Sequence, residues 1–470
     1  MLGITVLPEY FQVEGVETVL RNCQEVAGAT AITTSPYVME ISDAANGRRE
    51  PPIDAGAGSV RLLDRPLWGK RELYMKTAPS FQANASLYGL TCYQPPSANE
   101  MTARDGKIVQ EAITGIKQRD MEAFFQIQAA IPPGYRVQFS GVKAKDKPLL
   151  PNGKTVENRV ALNASLASED IFQYQLALMI DLLEQYPDVD GIRIDWPEYP
   201  PYRLDSVFLD FNPQVAEQTF VKQDYEFTTI KDGMHAVYEW LHGGLCIDEV
   251  NAVTRPIDLK EMLDRKGFLT TCLTWLNLKK DLVTNYIRRL REGMDSHGFT
   301  AKKLVPHAFP PPFNKLSGLD YGAINRYADH IPVKMYTMHW SMIARFYLDQ
   351  LGTRNPLLNA QGLISPLFGL LNISDDTPPN AIEDVFYPGP NDAHMPTARV
   401  QHEKINLAIN EAAPTPIAAL IHAYGPTDDF RRRFRLAYNA SDNYAWINRY
   451  CYLSDAKLQA IGEEVRHGNV

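Results

Sequence analysis

Eight short apolar segments recur through the chain, near positions 3, 30, 123, 190, 303, 331, 416 and 444, and each runs on into residues spaced for a helix. Proline stops most of them: Pro8, Pro36, Pro132-Pro133-Gly134, Pro197 and Pro310-Pro311-Pro312 follow the first five. Proline cannot donate to a sheet ladder, so each cluster ends a strand. Strands separated by helices must pair parallel, because a parallel neighbour is reached only by a crossover. Eight such units are the number that closes an α/β barrel, so the expected fold is a (β/α)8 TIM barrel. The chain has 470 residues, well above the roughly 250 of a plain barrel. The surplus falls into two loop insertions, near 37–105 and 352–397, and a helical elaboration after strand four, near 245–300. The first insertion carries Pro51-Pro52, Gly56, Gly58, Tyr88, Tyr93 and Pro95-Pro96. Both loops are too long for simple connections and are expected to be ordered walls of the barrel mouth. A single domain over 1–470 follows.

The formal net charge is −9, which argues against nucleic acid or an anionic membrane surface as partner. No stretch is long and apolar enough to span a bilayer. Met1 runs directly into the first apolar segment with no basic region before it, so a cytoplasmic location is expected; a chain trimmed of a secretory leader would read the same. Cys23, Cys92, Cys246, Cys272 and Cys451 are odd in number and form no CxxC pair, which suggests neither a disulfide framework nor a zinc site. There is no G-x-G-x-x-G after the first strand, no G-x-S-x-G elbow and no Gly-rich phosphate loop after strand seven or eight. No metal and no cofactor are expected.

In such a barrel the chemistry sits at the carboxyl ends of the strands. Strand four ends in DGIRIDWPEYPPY, Asp190–Tyr202. Arg193 and Asp195 share one face of that strand, and burying both is costly unless they pair. Asp195 is the leading candidate for a nucleophile or general base, held ionised by Arg193. Glu198, in the stiff loop that follows, is the first choice for the acid, with Asp248 and Glu249 as other carboxylates. Arg193 also counts among the expected substrate-binding residues, and the remaining strand ends add Tyr10, Gln128, His307, Tyr336, His339, Trp340, His422 and Arg449, besides Lys334. Carboxylates, hydroxyl-binding groups and aromatic platforms together suit cleavage of a glycosidic bond.

DGIRIDWPEYPPY resembles the strand-four signature of glycoside-hydrolase-like (β/α)8 barrels, including families known only as hypothetical glycosyl hydrolases. VKMYTMHW at Val333–Trp340 and YAWINRY at Tyr444–Tyr450 are similar to strand-six and last-strand segments of the same group. The Arg193-x-Asp195 pair is also similar to the arginine and aspartate of α-amylase-type enzymes. That resemblance implies Asp195 as nucleophile and Arg193 as its orienting cation. It implies no acid, because strand five ends at His307 rather than at a glutamate, and His422-Ala423-Tyr424 stands where strand seven would carry a His-Asp pair. The expected function is therefore a carbohydrate-active enzyme, a glycoside hydrolase acting on an oligosaccharide or glycoside. Two rivals are a sugar-acid lyase or isomerase, which Gln126, Gln128, Lys334 and the histidines would suit, and a carbohydrate-binding barrel without catalysis.

Overall fold

In the computed structural model, residues 1–50, 63–65, 67, 73–136, 141–219, 225–374, 377–395 and 398–467 are described. Eight parallel strands form the central sheet: β1 (Leu2–Thr5), β2 (Ala31–Thr34), β6 (Glu122–Gln128), β7 (Gly191–Asp195), β8 (Lys303–Pro306), β9 (Ile331–Met335), β10 (Ile417–His422) and β11 (Ala445–Asn448). Their spatial order is β8-β7-β6-β2-β1-β11-β10-β9. The ends meet just past β8: the amide of Ala308 donates to Pro332 O at 2.9 Å, and that of Lys334 to Ala308 O at 2.8 Å. The sheet thus closes on itself, and the fold is the (β/α)8 barrel that the strand spacing predicts. The strands are buried at nearly every position, because side chains fill the inside and helices cover the outside.

Local sequence explains the crossovers. Helix Glu169–Gln185 starts at Ser168, whose hydroxyl accepts from the amide of Ile171, and Glu169 and Asp170 complement the positive helix end. The 28-residue helix Leu269–Ser296 follows in the β7–β8 connection and packs on Glu169–Gln185. Helix Phe227–Leu241 packs against it in turn, within the same connection.

Between β2 and β6 lies a second, antiparallel sheet, β3 (Tyr37–Ser42), β4 (Arg48–Glu50) and β5 (Leu73–Pro79), in the order β3-β5-β4. Pro51-Pro52, Gly56 and Gly58 lie outside the described residues, as do 375–376 and 396–397 of the later loop. Among the described residues no helix is long and apolar enough to cross a membrane.

Candidate active site

The carboxyl ends of the barrel strands surround a cavity. Thr5, Gln126, Gln128, Asp195, Lys334, His422 and Asn448 reach it from six different strands. The segments after them add Trp196, Tyr202, Arg136, Tyr336, His339 and Arg449. Most of the residues named from strand ends therefore converge.

Asp195 is the one carboxylate lining this cavity among the described residues. Its side chain is 15 % exposed. Lys334 Nζ lies 2.9 Å from Asp195 Oδ1, and His307 Nδ1 donates to the same oxygen at 3.2 Å. Burial is the largest influence on this carboxyl and pushes its pKa up. The Lys334 ammonium and His307 outweigh it, and Asp195 is held well below the usual carboxylate range. Burial and the Arg193 charge push His307 down to about 4, so the ring is neutral and gives its Nδ1 hydrogen to the carboxylate.

The expected role of Arg193 does not hold. Among the described residues it forms no ion pair with Asp195. Two residues apart on one face of a strand is a step of about 6.6 Å, so Arg193 lies one layer deeper, fully buried in the barrel. There its Nη1 donates to Thr5 Oγ1 at 3.4 Å and its guanidinium lies over the Trp446 ring at 3.7 Å. Burial lowers its pKa to about 9. Lys334, from β9, is the cation that keeps Asp195 ionised.

Glu198 is also displaced from its expected place. Its carboxylate is wholly buried and does not line the cavity. Lys334 Nζ approaches Oε1 at 3.7 Å from one side and Ser317 Oγ donates to Oε2 at 3.3 Å. Burial raises its pKa to about 7 against the pull of Lys334. Lys334 thus bridges a carboxylate that faces the cavity and one that does not.

A second cation bridges two carboxylates beside the same cavity. Arg136 Nη1 lies 3.5 Å from Glu9 Oε1 and donates to the Tyr37 hydroxyl at 3.1 Å, and Nη2 pairs with Glu50 of β4. Glu9 is fully buried, and burial raises its pKa to about 7 against Arg136. Nothing in the local sequence marks this cluster, whose members lie far apart along the chain. The one available signal is position: Glu9 and Arg136 each follow the stop of a barrel strand.

Aromatic rings form a continuous girdle. Trp196, Tyr202, His339, Tyr336 and His422 follow one another edge to face, at centroid separations of 6.3, 5.4, 5.4 and 5.1 Å. Tyr202 Oη lies 3.3 Å from His339 Nδ1. Trp196 takes φ 56°, a left-handed conformation that costs a bulky residue energy and turns the chain sharply after Asp195. Gln126 Oε1, Gln128 Oε1, Asn448 Oδ1 and Trp196 Nε1 are buried with no hydrogen-bond partner in the protein. All four belong to residues lining the cavity, and buried polar groups are ordinarily paired.

Besides Arg193, three expected binding residues do not line the cavity. Tyr10 is buried edge-on against Tyr450 at 5.7 Å. Trp340 packs away from the mouth, with Lys404 Nζ 5.2 Å from its ring. His307 supports Asp195 from below. Glu249 pairs with Lys266 and receives the Trp240 indole, in the helical connection after β7. Cys92, Asp146 and Asp170 come within metal-binding reach of one another, but none lines this cavity, and Asp170 is paired with Lys145.

No family model and no curated protein sequence matches the chain. Solved structures do. A β-galactosidase from the psychrophilic Marinomonas ef1 is similar over 100 % of this chain at 8 % identity and a TM-score of 0.49; this chain spans 59 % of its length. The catalytic domain of a β-amylase from Paenibacillus polymyxa is similar at 9 % identity, a TM-score of 0.48, and 97 % and 94 % of the two chains. A glycoside hydrolase family 18 N-acetylglucosaminidase from Paenibacillus barengoltzii gives 10 %, 0.41, and 99 % of both chains.

Proposed function

We propose that this protein is a carbohydrate-active enzyme that hydrolyses a glycosidic bond at the barrel mouth, with Asp195 as the carboxylate that meets the anomeric carbon. One observation carries this reading: an ionised Asp195 lines the cavity amid unpartnered amide oxygens and aromatic edges. Glycosidic cleavage passes through an oxocarbenium-like state, and a carboxylate kept ionised stabilises that positive charge or attacks the carbon. The amides of Gln126, Gln128 and Asn448 satisfy sugar hydroxyls, and the rings flank the apolar faces of the sugar.

In the overall reaction a water oxygen bonds to the anomeric carbon, the bond from that carbon to the leaving oxygen breaks, and the leaving oxygen takes a proton. Glu198 lies behind Lys334 and acts as a positioning residue, holding the ammonium on Asp195. His339, paired with Tyr202 in the cavity wall, is the group placed to protonate the leaving oxygen.

The test is a panel of aryl glycosides and oligosaccharides assayed with the natural protein and with Asp195→Asn. Turnover falls by about 10²–10⁴-fold in the variant while its far-ultraviolet circular dichroism is unchanged. Near-normal turnover in Asp195→Asn overturns the assignment. Saccharide binding with no product from any substrate points instead to a barrel without catalysis. A second reading, elimination from a sugar acid, is favoured by one feature: Lys334, Arg136 and Arg449 face a cavity lined, among the described residues, by a single carboxylate. An unsaturated, ultraviolet-absorbing product in place of a hydrolysed one decides for it.

A further inference from the structure

The cavity has a charge polarity that the hydrolysis reading does not use. In the closed ring of strands β7 and β11 stand opposite one another, with three strands between them on either side. Asp195 ends β7, and Arg449 directly follows β11. The negative group thus lies on one side of the mouth and Arg449 on the other.

The three cations that line the cavity among the described residues are not equivalent. Lys334 is shared by Asp195 and Glu198, and Arg136 by Glu9 and Glu50. Arg449 forms no ion pair among the described residues, although it is more than half buried; the carboxyls of Glu50 and Glu9 act on its charge without contacting it, and Arg136 opposes them. With no carboxylate in contact, its planar fork of donors is left open to an anion carried by a ligand.

We propose that the bound sugar is acidic, a uronic acid unit whose carboxylate docks on the Arg449 guanidinium while its anomeric carbon faces Asp195. The inference rests on the hydrolysis reading only for the second half of that statement. A carboxylate matches the planar fork of arginine with two parallel hydrogen bonds. In a uronide the carboxylate is attached to the ring carbon on the far side of the ring oxygen from the anomeric carbon. One sugar unit therefore offers an anion and a nascent cation on adjacent flanks of a single ring. The polarity of the mouth complements that pair, whereas a neutral sugar leaves the Arg449 fork without a contacting anion. A phosphate would also meet a guanidinium, but among the described residues lining the cavity there is no glycine to bring backbone amides onto it.

The experiment is calorimetric titration of the full chain with glucuronate, galacturonate and mannuronate, the matching neutral hexoses and their 6-phosphates. Aryl uronides and aryl glycosides are assayed for cleavage in parallel. At least one uronate binds about tenfold or more tightly than its neutral counterpart. Arg449→Gln removes that preference, and Arg449→Lys restores part of it in a protein of the same circular dichroism. Equal binding of acidic and neutral sugars, a preference that survives Arg449→Gln, a 6-phosphate ahead of every uronate, or no binding of any sugar overturns the proposal. The two readings fail separately. Uronate binding without cleavage of any glycoside removes hydrolysis and keeps the acidic ligand. Cleavage of neutral glycosides as fast as uronides does the reverse.

Discussion

Two charge clusters flank the cavity, and they are built alike but face opposite ways. In each, one buried cation bridges two carboxyl groups: Lys334 between Asp195 and Glu198, Arg136 between Glu9 and Glu50. In each, burial raises one carboxyl to about 7, Glu198 in the first and Glu9 in the second. In the first it is a carboxylate, Asp195, that lines the cavity besides the cation. In the second it is the cation Arg136 alone, its carboxylates lying behind it. The same device, a cation shared by two acids, thus presents a negative reactive group on one side and a positive docking surface on the other. Pairing decides the energy of burial; orientation decides the chemistry.

The largest effect expected from this difference is on turnover. Asp195→Asn lowers kcat/KM by about 10²–10⁴-fold, whereas Glu50→Gln, the corresponding loss in the other cluster, changes kcat by less than about threefold. Steady-state kinetics on a cleaved substrate makes the comparison, and an equal loss from both variants breaks it. Stability should respond the other way, alike for both. Lys334→Met and Arg136→Met each remove the cation from two buried carboxyls and each cost about 3–5 kcal/mol in urea unfolding. A loss confined to one of them means that the other cluster is held by something besides its cation.

The pH dependence sharpens the likeness. Unfolded, Glu9 and Glu198 release their protons near the ordinary 4.5; folded, they keep them to about 7. Between those values the folded chain binds more protons than the unfolded one, so stability falls as pH rises from about 4.5 to 7 and the loss is complete above that. A shift of this size is worth about 3 kcal/mol for each carboxyl. Asp195 acts in the opposite sense. Held low by Lys334, it contributes stability that is present above the unfolded value of 3.8 and lost as pH falls below it. Chemical denaturation across pH 3–8 should therefore peak between about 4 and 5. Glu198→Gln and Glu9→Gln should each flatten part of the descending side.

The barrel was legible because each strand carries its own signal, an apolar run cut off by proline and followed by helical spacing. The face on which Arg193 and Asp195 lie was legible too, from strand alternation. What could not be read was depth and partnership. Arg193 and Asp195 share a face but occupy successive layers, so the pair that looked local is not made, and the real partner, Lys334, comes from β9. His339 and Trp340 are adjacent in sequence, and both follow a strand end. The chain is already helical there, within Thr337–Arg354, so neighbours point about 100° apart; one ring joins the cavity and the other meets Lys404. Arg136, Glu9 and Glu50 meet only because the β3–β5 sheet brings β4 against the mouth, a tertiary fact with no short-range signature.

The smallest of the expected effects separates binding from support within the Asp195 cluster. Trp196 stands at a left-handed φ of 56°, a position where glycine would be relaxed and tryptophan stores about 1–3 kcal/mol. Its ring lies 5.5 Å from Lys334 Nζ and packs partly on the core, a contact worth about 0.5–1 kcal/mol. In Trp196→Gly the relief of backbone strain and the loss of the ring oppose each other, so the unfolding free energy moves by no more than about 1 kcal/mol. Substrate loses a stacking face, and KM rises by roughly fivefold while kcat changes little. A residue kept for structure alone would show the opposite pattern, a large fall in stability at an unchanged KM. The Arg136 cluster supplies the control: its aromatic partner Tyr37 contributes a hydroxyl and not a ring face, so Tyr37→Phe should leave KM within about twofold.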